Sequence, residues 1–183
     1  MPAVTYELRK ATRADQSCLE RLIARSVRAL GARDYRNEQL HAALRGVFGV
    51  DTQLIDDGTY FLAEVDHEIV GCGGWSRRRT LFGGDRHAER DDGELDPTVD
   101  AAKIRAFFVH PDYSRQGIGR ALLMRCEAEA RAQGFTNFEL MSTLTGVPLY
   151  LALGYLPSVM VRYPLATDVM IEFVPMHKEF ASR

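Results

Sequence analysis

The sequence is poor in cysteine, in net charge and in long hydrophobic runs. Its three cysteines, Cys18, Cys72 and Cys126, lie far apart, and none belongs to a Cys-x-x-Cys pair. Isolated cysteines in odd number fit neither a disulfide framework nor a zinc site, so we predict a reducing compartment and no metal. The net charge of -2 offers no basic field that would attract nucleic acid or an anionic membrane.

The absence of long apolar runs excludes further classes. No stretch approaches the ~18 apolar residues of a membrane span, and residues 1–10 lack the apolar run of a signal peptide. We therefore expect a cytoplasmic protein without nucleic-acid or membrane partners. With 183 residues, of which 46% are hydrophobic, the chain is expected to form one domain over residues 1–183.

Hydrophobic periodicity predicts strands and helices in alternation. A first strand at residues 6–9 precedes a helix that Thr12–Asp15 caps, and Asn37 is expected to cap a second helix. The other predicted elements are an antiparallel hairpin (59–65 with 69–75), a strand (137–142), a short helix (148–154) and a closing hairpin (159–163 with 169–174). This order predicts an α/β fold with a mixed central sheet flanked by helices.

Residues 77–100 differ from the rest of the chain. Charged residues dominate the segment, and Gly83, Gly84, Gly93 and Pro97 interrupt any periodicity, so we predict a loop. Two interpretations stay open, a functional lid over the site and a solvated insertion. Its basic run, Arg77–Arg79, either attracts an anionic group or is simply a solvated surface.

The most informative segment joins a strand to a helix through glycines. Residues 104–109 read as a buried strand, and a helix is predicted from Arg120 to Gln133, ending before Gly134. The turn between them contains Gly117 and Gly119. The first N–H groups of a helix lack partners and carry about half a positive charge, so this turn is suited to a pyrophosphate.

Two common phosphate-binding motifs do not fit the turn. A P-loop requires Gly-Lys-Ser/Thr, but Gly119 is followed by Arg120 and Ala121. The dinucleotide-binding fingerprint requires a third glycine where Leu122 stands. The turn therefore belongs to another class of anion site.

The residues around the turn resemble the GCN5-related N-acetyltransferases (GNAT). The resemblance extends over most of the chain and is carried by Leu8–Asp15, Val70–Gly74, Val109–Pro111, Gly117–Gly119 and Leu149–Tyr155. It implies a single-domain acyl-coenzyme A N-acyltransferase fold, with a cleft where the strands at 104–109 and 137–142 diverge. Acetyl-coenzyme A is the implied co-substrate.

The resemblance also implies a set of site residues. The implied cofactor-binding residues are Phe107, Phe108, Val109, Arg115, Gln116, Gly117, Ile118, Gly119, Arg120 and Thr143. Ser114 stands where the family has Gln or Arg, so binding is assigned to the backbone amides of residues 115–120. A backbone N–H near Val109 is implied to polarise the acetyl carbonyl. Tyr150 matches the family's general acid, with the alternative that it is an ordinary half-buried aromatic.

No general base is evident. Many members of the family carry a glutamate on the strand before the turn, whereas residues 101–106 contain no carboxylate. Glu94, Asp96, Asp100, His110 or a water molecule remain as alternatives. Trp75 is expected either in an acceptor pocket or in the core, and Cys72 and Cys126 are expected to be small core residues.

The implied function is transfer of an acetyl group to an amine of a small molecule or peptide, by direct attack in a ternary complex. One alternative is a non-catalytic acyl-coenzyme A sensor or interaction domain on the same fold. Another is a transferase of a longer acyl group. The C-terminal hairpin presents an edge that makes a homodimer possible.

Overall fold

A twisted sheet divides the helices of the protein into two groups. The structure, a computed structural model, describes residues 4–180. The strands are β1 (Glu7–Lys10), β2 (Tyr60–Val65), β3 (Glu68–Ser76), β4 (Ala102–Val109), β5 (Asn137–Thr143), β6 (Leu156–Pro157), β7 (Val161–Ala166) and β8 (Val169–Glu179). The helices are α1 (Gln16–Leu30), α2 (Asn37–Arg45), α3 (Thr52–Asp56), α4 (Ile118–Ala132) and α5 (Val147–Ala152).

The eight strands form one sheet in the order β1-β2-β3-β4-β5-β8-β6, with β7 also paired to β8. All pairings are antiparallel except that between β4 and β5, which α4 connects as a crossover. The predicted α/β fold with a mixed central sheet is confirmed. The predicted hairpin is also present, as β2 and β3.

The parallel pair at the centre of the sheet is incomplete. β4 and β5 pair only through Ala102 with Phe138 and Lys103 with Glu139, and beyond these residues the two strands diverge. This confirms the cleft expected from the sequence. A bulge lies in β4 at the same level, because the register with β3 shifts between Cys72 and Gly74 and Ala106 has a φ of 58°.

Each face of the sheet carries its own hydrophobic core. α1 packs Leu19, Leu22 and Ile23 against one face, and α4 packs Leu122, Leu123 and Cys126 against the other. Trp75 is 0% exposed and its ring meets that of Phe135 edge-on, which places it in the second core rather than in a pocket.

The two core cysteines have no access to solvent. Cys72 and Cys126 are both fully buried, as expected. Burial raises the pKa of the Cys72 thiol to about 12, and it raises that of Cys126 as well. Neither is a thiolate nucleophile at neutral pH.

Several elements differ from the sequence prediction; β6, for example, was not expected, and α4 begins at Ile118 rather than at Arg120. α3 was not expected, since a helix of this length shows no clear period. Asn37 begins α2 instead of capping it; Arg36 precedes the helix with extended backbone, and its N–H donates to the Gln39 side chain. The closing hairpin is longer than predicted, because β8 continues along β5 as far as Glu179.

No helix in residues 4–180 has the length and apolarity to cross a membrane.

The loop at residues 77–100 is held against the body of the protein. The N–H groups of Gly84 and Asp85 donate to the carbonyls of Val47 (3.1 Å) and Val50 (2.9 Å). Arg78 forms a bidentate pair with Asp57, at 2.7 and 2.9 Å. Because of these contacts, residues 77–100 are not a freely solvated insertion. The basic run is engaged in ion pairs within the described structure, Arg77 with Asp57 and Glu94, and Arg79 with Asp91.

Candidate functional site

A cavity of about 710 Å³ passes through the gap between β4 and β5. The bulged half of β4, Ile104–Val109, forms one wall, and Met141–Gly146 and α5 supply residues on the other side. The glycine turn before α4 lies on one face of the sheet. The end of α1, the α1–α2 connection, residues 47–49, residues 81–84 of the long loop and Phe173 line most of the remainder.

The glycine turn presents a row of free backbone donors. Among residues 4–180, none accepts a hydrogen bond from the backbone N–H groups of residues 115–120; the first bonded amide is that of Ala121, which donates to Gly117. α4 is 15 residues long, and its positive dipole end lies at this turn. Such an arrangement of amides and dipole can bind a phosphate or pyrophosphate group.

Left-handed backbone shapes the turn. Gly117 has a φ of 87° and Arg115 a φ of 64°, so two of its residues adopt a conformation that side chains with a Cβ disfavour. A Cβ at Gly119 would lie 3.1 Å from Cδ2 of Leu149. A glycine at 119 therefore keeps the start of α4 close to α5, without filling the space in front of the amides.

The N–H of Val109 is directed toward the gap. The amide of His110 donates to the carbonyl of Val70 on β3 at 2.8 Å. Successive residues of a strand direct their N–H groups to opposite edges. The N–H of Val109 therefore points away from β3 and toward the gap between the diverging strands β4 and β5.

Tyr150 lies on α5 beside this gap. It is 8% exposed and lines the cavity, with its ring edge-on to Phe107 at a centroid distance of 6.3 Å. Burial raises the pKa of the Tyr150 phenol well above its usual value. A tyrosine hydroxyl is protonated through the neutral range in any case, so it can serve as a proton donor.

The structure gathers nearly all of the predicted site residues around one cavity. Those that line it are Phe107, Phe108, Val109, Arg115, Gly117, Ile118, Gly119, Arg120, Thr143 and Tyr150. Gln116 does not line it; its side chain turns back and donates to the carbonyl of Asp112. The backbone amide of Gln116 nevertheless belongs to the row of free donors.

None of the side chains considered as the general base lines the cavity. Glu94 and Asp96 are exposed on the long loop, and Asp100 accepts from the Asp96 amide. His110 is buried rather than facing solvent, and its Nδ1 accepts from the Asp112 amide. Within residues 4–180, Asp34 is the only carboxylate that lines the cavity. No sequence motif marks this residue.

An ionic cluster lies beneath the cavity floor. Arg105, on β4, is paired with Asp51, and its Nη2 also donates to the Gly83 carbonyl at 2.7 Å. Arg90 reaches the same carboxylate at 3.2 Å and the Gly84 carbonyl at 3.0 Å. The cluster thereby ties the long loop to β4. No local sequence pattern reveals the cluster, because its members are distant along the chain.

Comparison with known families is consistent with this geometry. The profile of the acetyltransferase (GNAT) family matches residues 24–155, which is most of the chain. The protein belongs to this family. No protein with curated annotation matches the sequence.

Solved GNAT structures share the fold over the full length. A GCN5-related N-acetyltransferase from Rhodopseudomonas palustris superposes with a TM-score of 0.72 at 19% identity, covering 98% of this chain and 99% of its own. The PaiA N-acetyltransferase of Thermoplasma acidophilum, solved with coenzyme A, has a TM-score of 0.66 at 15% identity, covering 97% and 100%. YncA of Salmonella typhimurium, solved with acetyl-coenzyme A, has a TM-score of 0.61 at 16% identity, covering 98% and 96%.

Proposed function

We propose that the protein transfers an acetyl group from acetyl-coenzyme A to a primary amine by direct attack. The observation that carries the proposal is the single cavity that joins a row of free amides, the N–H of Val109 and the hydroxyl of Tyr150. Membership in the GNAT family and the coenzyme A in two structural relatives support the same donor.

The glycine turn is assigned to the pyrophosphate of the donor. The amides of residues 115–120 and the positive end of α4 offer hydrogen bonds and a favourable potential. The exposed side chains of Arg115 and Arg120 flank the turn and can add charge-assisted contacts. Thr143 lies on the opposite wall, where the hydroxyl can meet the pantetheine arm.

At the thioester, the reaction requires a group that stabilises the oxyanion and a group that protonates the leaving thiolate. When the amine nitrogen attacks the acetyl carbon, negative charge develops on the carbonyl oxygen, and the N–H of Val109 stabilises it. The C–S bond then breaks as the amide bond forms. Tyr150 gives its proton to the departing thiolate, which produces neutral coenzyme A thiol, and the proton that the attacking nitrogen loses on becoming an amide restores the Tyr150 phenol.

The amine must be free of its extra proton before it attacks. We assign acceptance of this proton to Asp34, directly or through water, because it is the only carboxylate among residues 4–180 that lines the cavity. Its side chain accepts a hydrogen bond from Thr145 Oγ1 at 2.7 Å, which orients it.

Coenzyme A binding is tested by titration calorimetry with a glycine variant. Gly119→Glu adds a negative charge to the glycine turn and is expected to reduce affinity by about 100-fold or more. The matched control is Gly46→Glu, at a position outside the cavity where a Cβ has only an ordinary contact, 3.7 Å from the Ala42 carbonyl. Equal affinity in both variants would remove the turn from the proposal.

Catalysis is tested separately from binding. Release of free thiol from acetyl-coenzyme A is measured with a panel of primary amines and compared with release without amine. Amine-dependent release is expected; its absence in a protein that still binds coenzyme A would favour the sensor function. Acyl donors of increasing chain length in the same assay identify the transferred group.

A further inference from the structure

Four phenylalanines wall the part of the cavity that lies across the sheet from Tyr150. These residues, called here the aromatic wall, are Phe48, Phe82, Phe108 and Phe173. Phe48 meets Phe108 edge-on with ring centroids 6.0 Å apart, and Phe173 at 6.1 Å. Phe82 approaches Phe173 at 5.6 Å. The rings therefore form one continuous cluster, in which Phe173 is buried and Phe48, Phe82 and Phe108 are partly exposed.

The aromatic wall lies on the acceptor side of the gap. Phe107 and Phe108 are consecutive on β4, so their side chains point to opposite faces of the sheet. Phe107 packs beside Tyr150 in the core that contains α4, whereas Phe108 packs in the core that contains α1. A donor held by the glycine turn reaches the gap from the first face, which leaves the aromatic wall for the acceptor.

Few charged residues line the cavity that contains the aromatic wall. The charged residues that line the whole cavity, within the described part of the chain, are Arg33, Asp34, Arg105, Arg115 and Arg120. Arg115 and Arg120 belong to the glycine turn, and Asp51 balances the buried Arg105. Asp34 alone is then available to a positively charged acceptor.

The aromatic wall is held in place before any acceptor binds. Phe82 belongs to the long loop, where Gly83 accepts a hydrogen bond from Arg105 and Gly84 donates to Val47. Its ring also lies edge-on to Tyr163 at a centroid distance of 5.2 Å. A preformed apolar surface of this kind binds without the cost of ordering a loop.

We infer that the acceptor is a primary amine attached to an aromatic or branched apolar group, with no positive charge besides its ammonium. This inference rests on the proposed acetyl transfer. The faces of aromatic rings attract one ammonium group, and the rings also pack against the apolar part of the same amine. A polyamine or aminoglycoside needs several carboxylates, and the cavity offers one.

The test compares amines of contrasting chemistry. Direct binding to the protein saturated with coenzyme A is measured by calorimetry for 2-phenylethylamine, for a tripeptide with N-terminal phenylalanine, and for spermidine. The same amines are used for thiol release from acetyl-coenzyme A. We expect at least one phenyl-bearing amine to be preferred over spermidine by about 10-fold or more in both assays. Comparing 2-phenylethylamine with the tripeptide shows whether the acceptor is a small molecule or a peptide.

Variants of the aromatic wall provide the second arm. Phe82→Ala and the milder Phe48→Leu should raise the KM for the preferred amine, with kcat and the affinity for coenzyme A much less affected. The control is Phe180→Ala, a half-buried ring that packs on Phe138 outside the cavity. Tighter binding of spermidine, no binding of either phenyl-bearing amine, or an unchanged KM in both variants would overturn the inference. Loss of coenzyme A binding or of all amine-dependent release refutes the proposed function instead, since amine binding is measured independently.

Discussion

Asp51 and Arg105 form an ion pair that is cut off from solvent. Their side chains are 0% and 1% exposed, and Nε and Nη1 of Arg105 have no hydrogen-bond partner among residues 4–180. Burial lowers the pKa of the Arg105 guanidinium, and the charge of Asp51 opposes that effect. The pair therefore depends on both members being present.

Asp51→Ala is expected to destabilise the fold by about 3–5 kcal/mol, because it leaves a buried guanidinium without its counter-charge. Urea unfolding at pH 7 measures the change. Asp56→Ala, which removes an exposed pair with Arg13, is the control and should have little effect. The double variant Asp51→Ala/Arg105→Met should recover part of the loss; a single variant as stable as the parent would contradict the assignment.

Asp15 contributes stability that depends on pH. Its hydrogen bonds with Arg9 lower the pKa of the carboxyl to about 2, with help from Thr12. Because the folded-state pKa lies below the unfolded value of about 3.9, the stabilisation is present above that value and is lost as the pH falls toward 2. Asp15→Asn should cost about 1 kcal/mol at pH 7, allowing for solvent screening, and progressively less in acid.

Unfolding free energies of the parent and Asp15→Asn, measured by urea titration from pH 7 to pH 2, test this dependence. Glu20→Gln, on the exposed side of α1, serves as the control. A difference between parent and variant that stays constant over the whole range would exclude the titration of Asp15 as its cause.

Tyr150→Phe should slow acetyl transfer by about 100- to 10,000-fold, since it removes the proposed proton donor to the thiolate. The ring and its contact with Phe107 are retained, so the affinity for coenzyme A should change little. Thiol release gives kcat and calorimetry gives the dissociation constant. Tyr6→Phe, outside the cavity, is the matched control. A rate equal to that of the control would reassign Tyr150 to packing.

Asp34→Asn tests the proposed proton acceptor. The amide keeps the size and the contact with Thr145 but cannot take a proton, so kcat/KM for the amine should fall by about 100-fold near neutral pH. At high pH, where the free amine is already neutral, the difference should shrink. A pH profile of kcat/KM measures both effects; a uniform loss at every pH would indicate a role in orientation only.

Gly84→Ala tests whether the long loop positions the acceptor. A Cβ there would lie 2.8 Å from the carbonyl of Gly49, so backbone must move and carry Phe82 with it. We expect kcat/KM for the amine to drop by about 10- to 100-fold with unchanged affinity for coenzyme A. Gly93→Ala, in the same loop, faces only flexible side chains of Asp91 and Arg79 and is the control. Equal activity of the two variants would contradict a fixed wall.

Local patterns in the sequence predicted much of the fold and the proposed donor site. The segment from β4 through the turn to α4 is continuous in sequence. Its glycines predict the tight backbone conformation that the proposed anion site requires. The divergence of β4 from β5 followed from the family resemblance, as did the role proposed for Tyr150. Trp75 could not be assigned, because strand periodicity does not reveal which face of a sheet is covered.

The acceptor side had no such local signature. Asp34, Phe48 and Phe82 come from three separate connections, and only the packing of those connections around the gap brings them to one cavity. The pairing of Asp51 with Arg105 likewise joins residues far apart along the chain. A motif records backbone geometry within a few residues, whereas a pocket lined by distant loops arises from their packing. The sequence therefore determined the family and the glycine turn, and the tertiary structure alone brought together the residues proposed for the acceptor side.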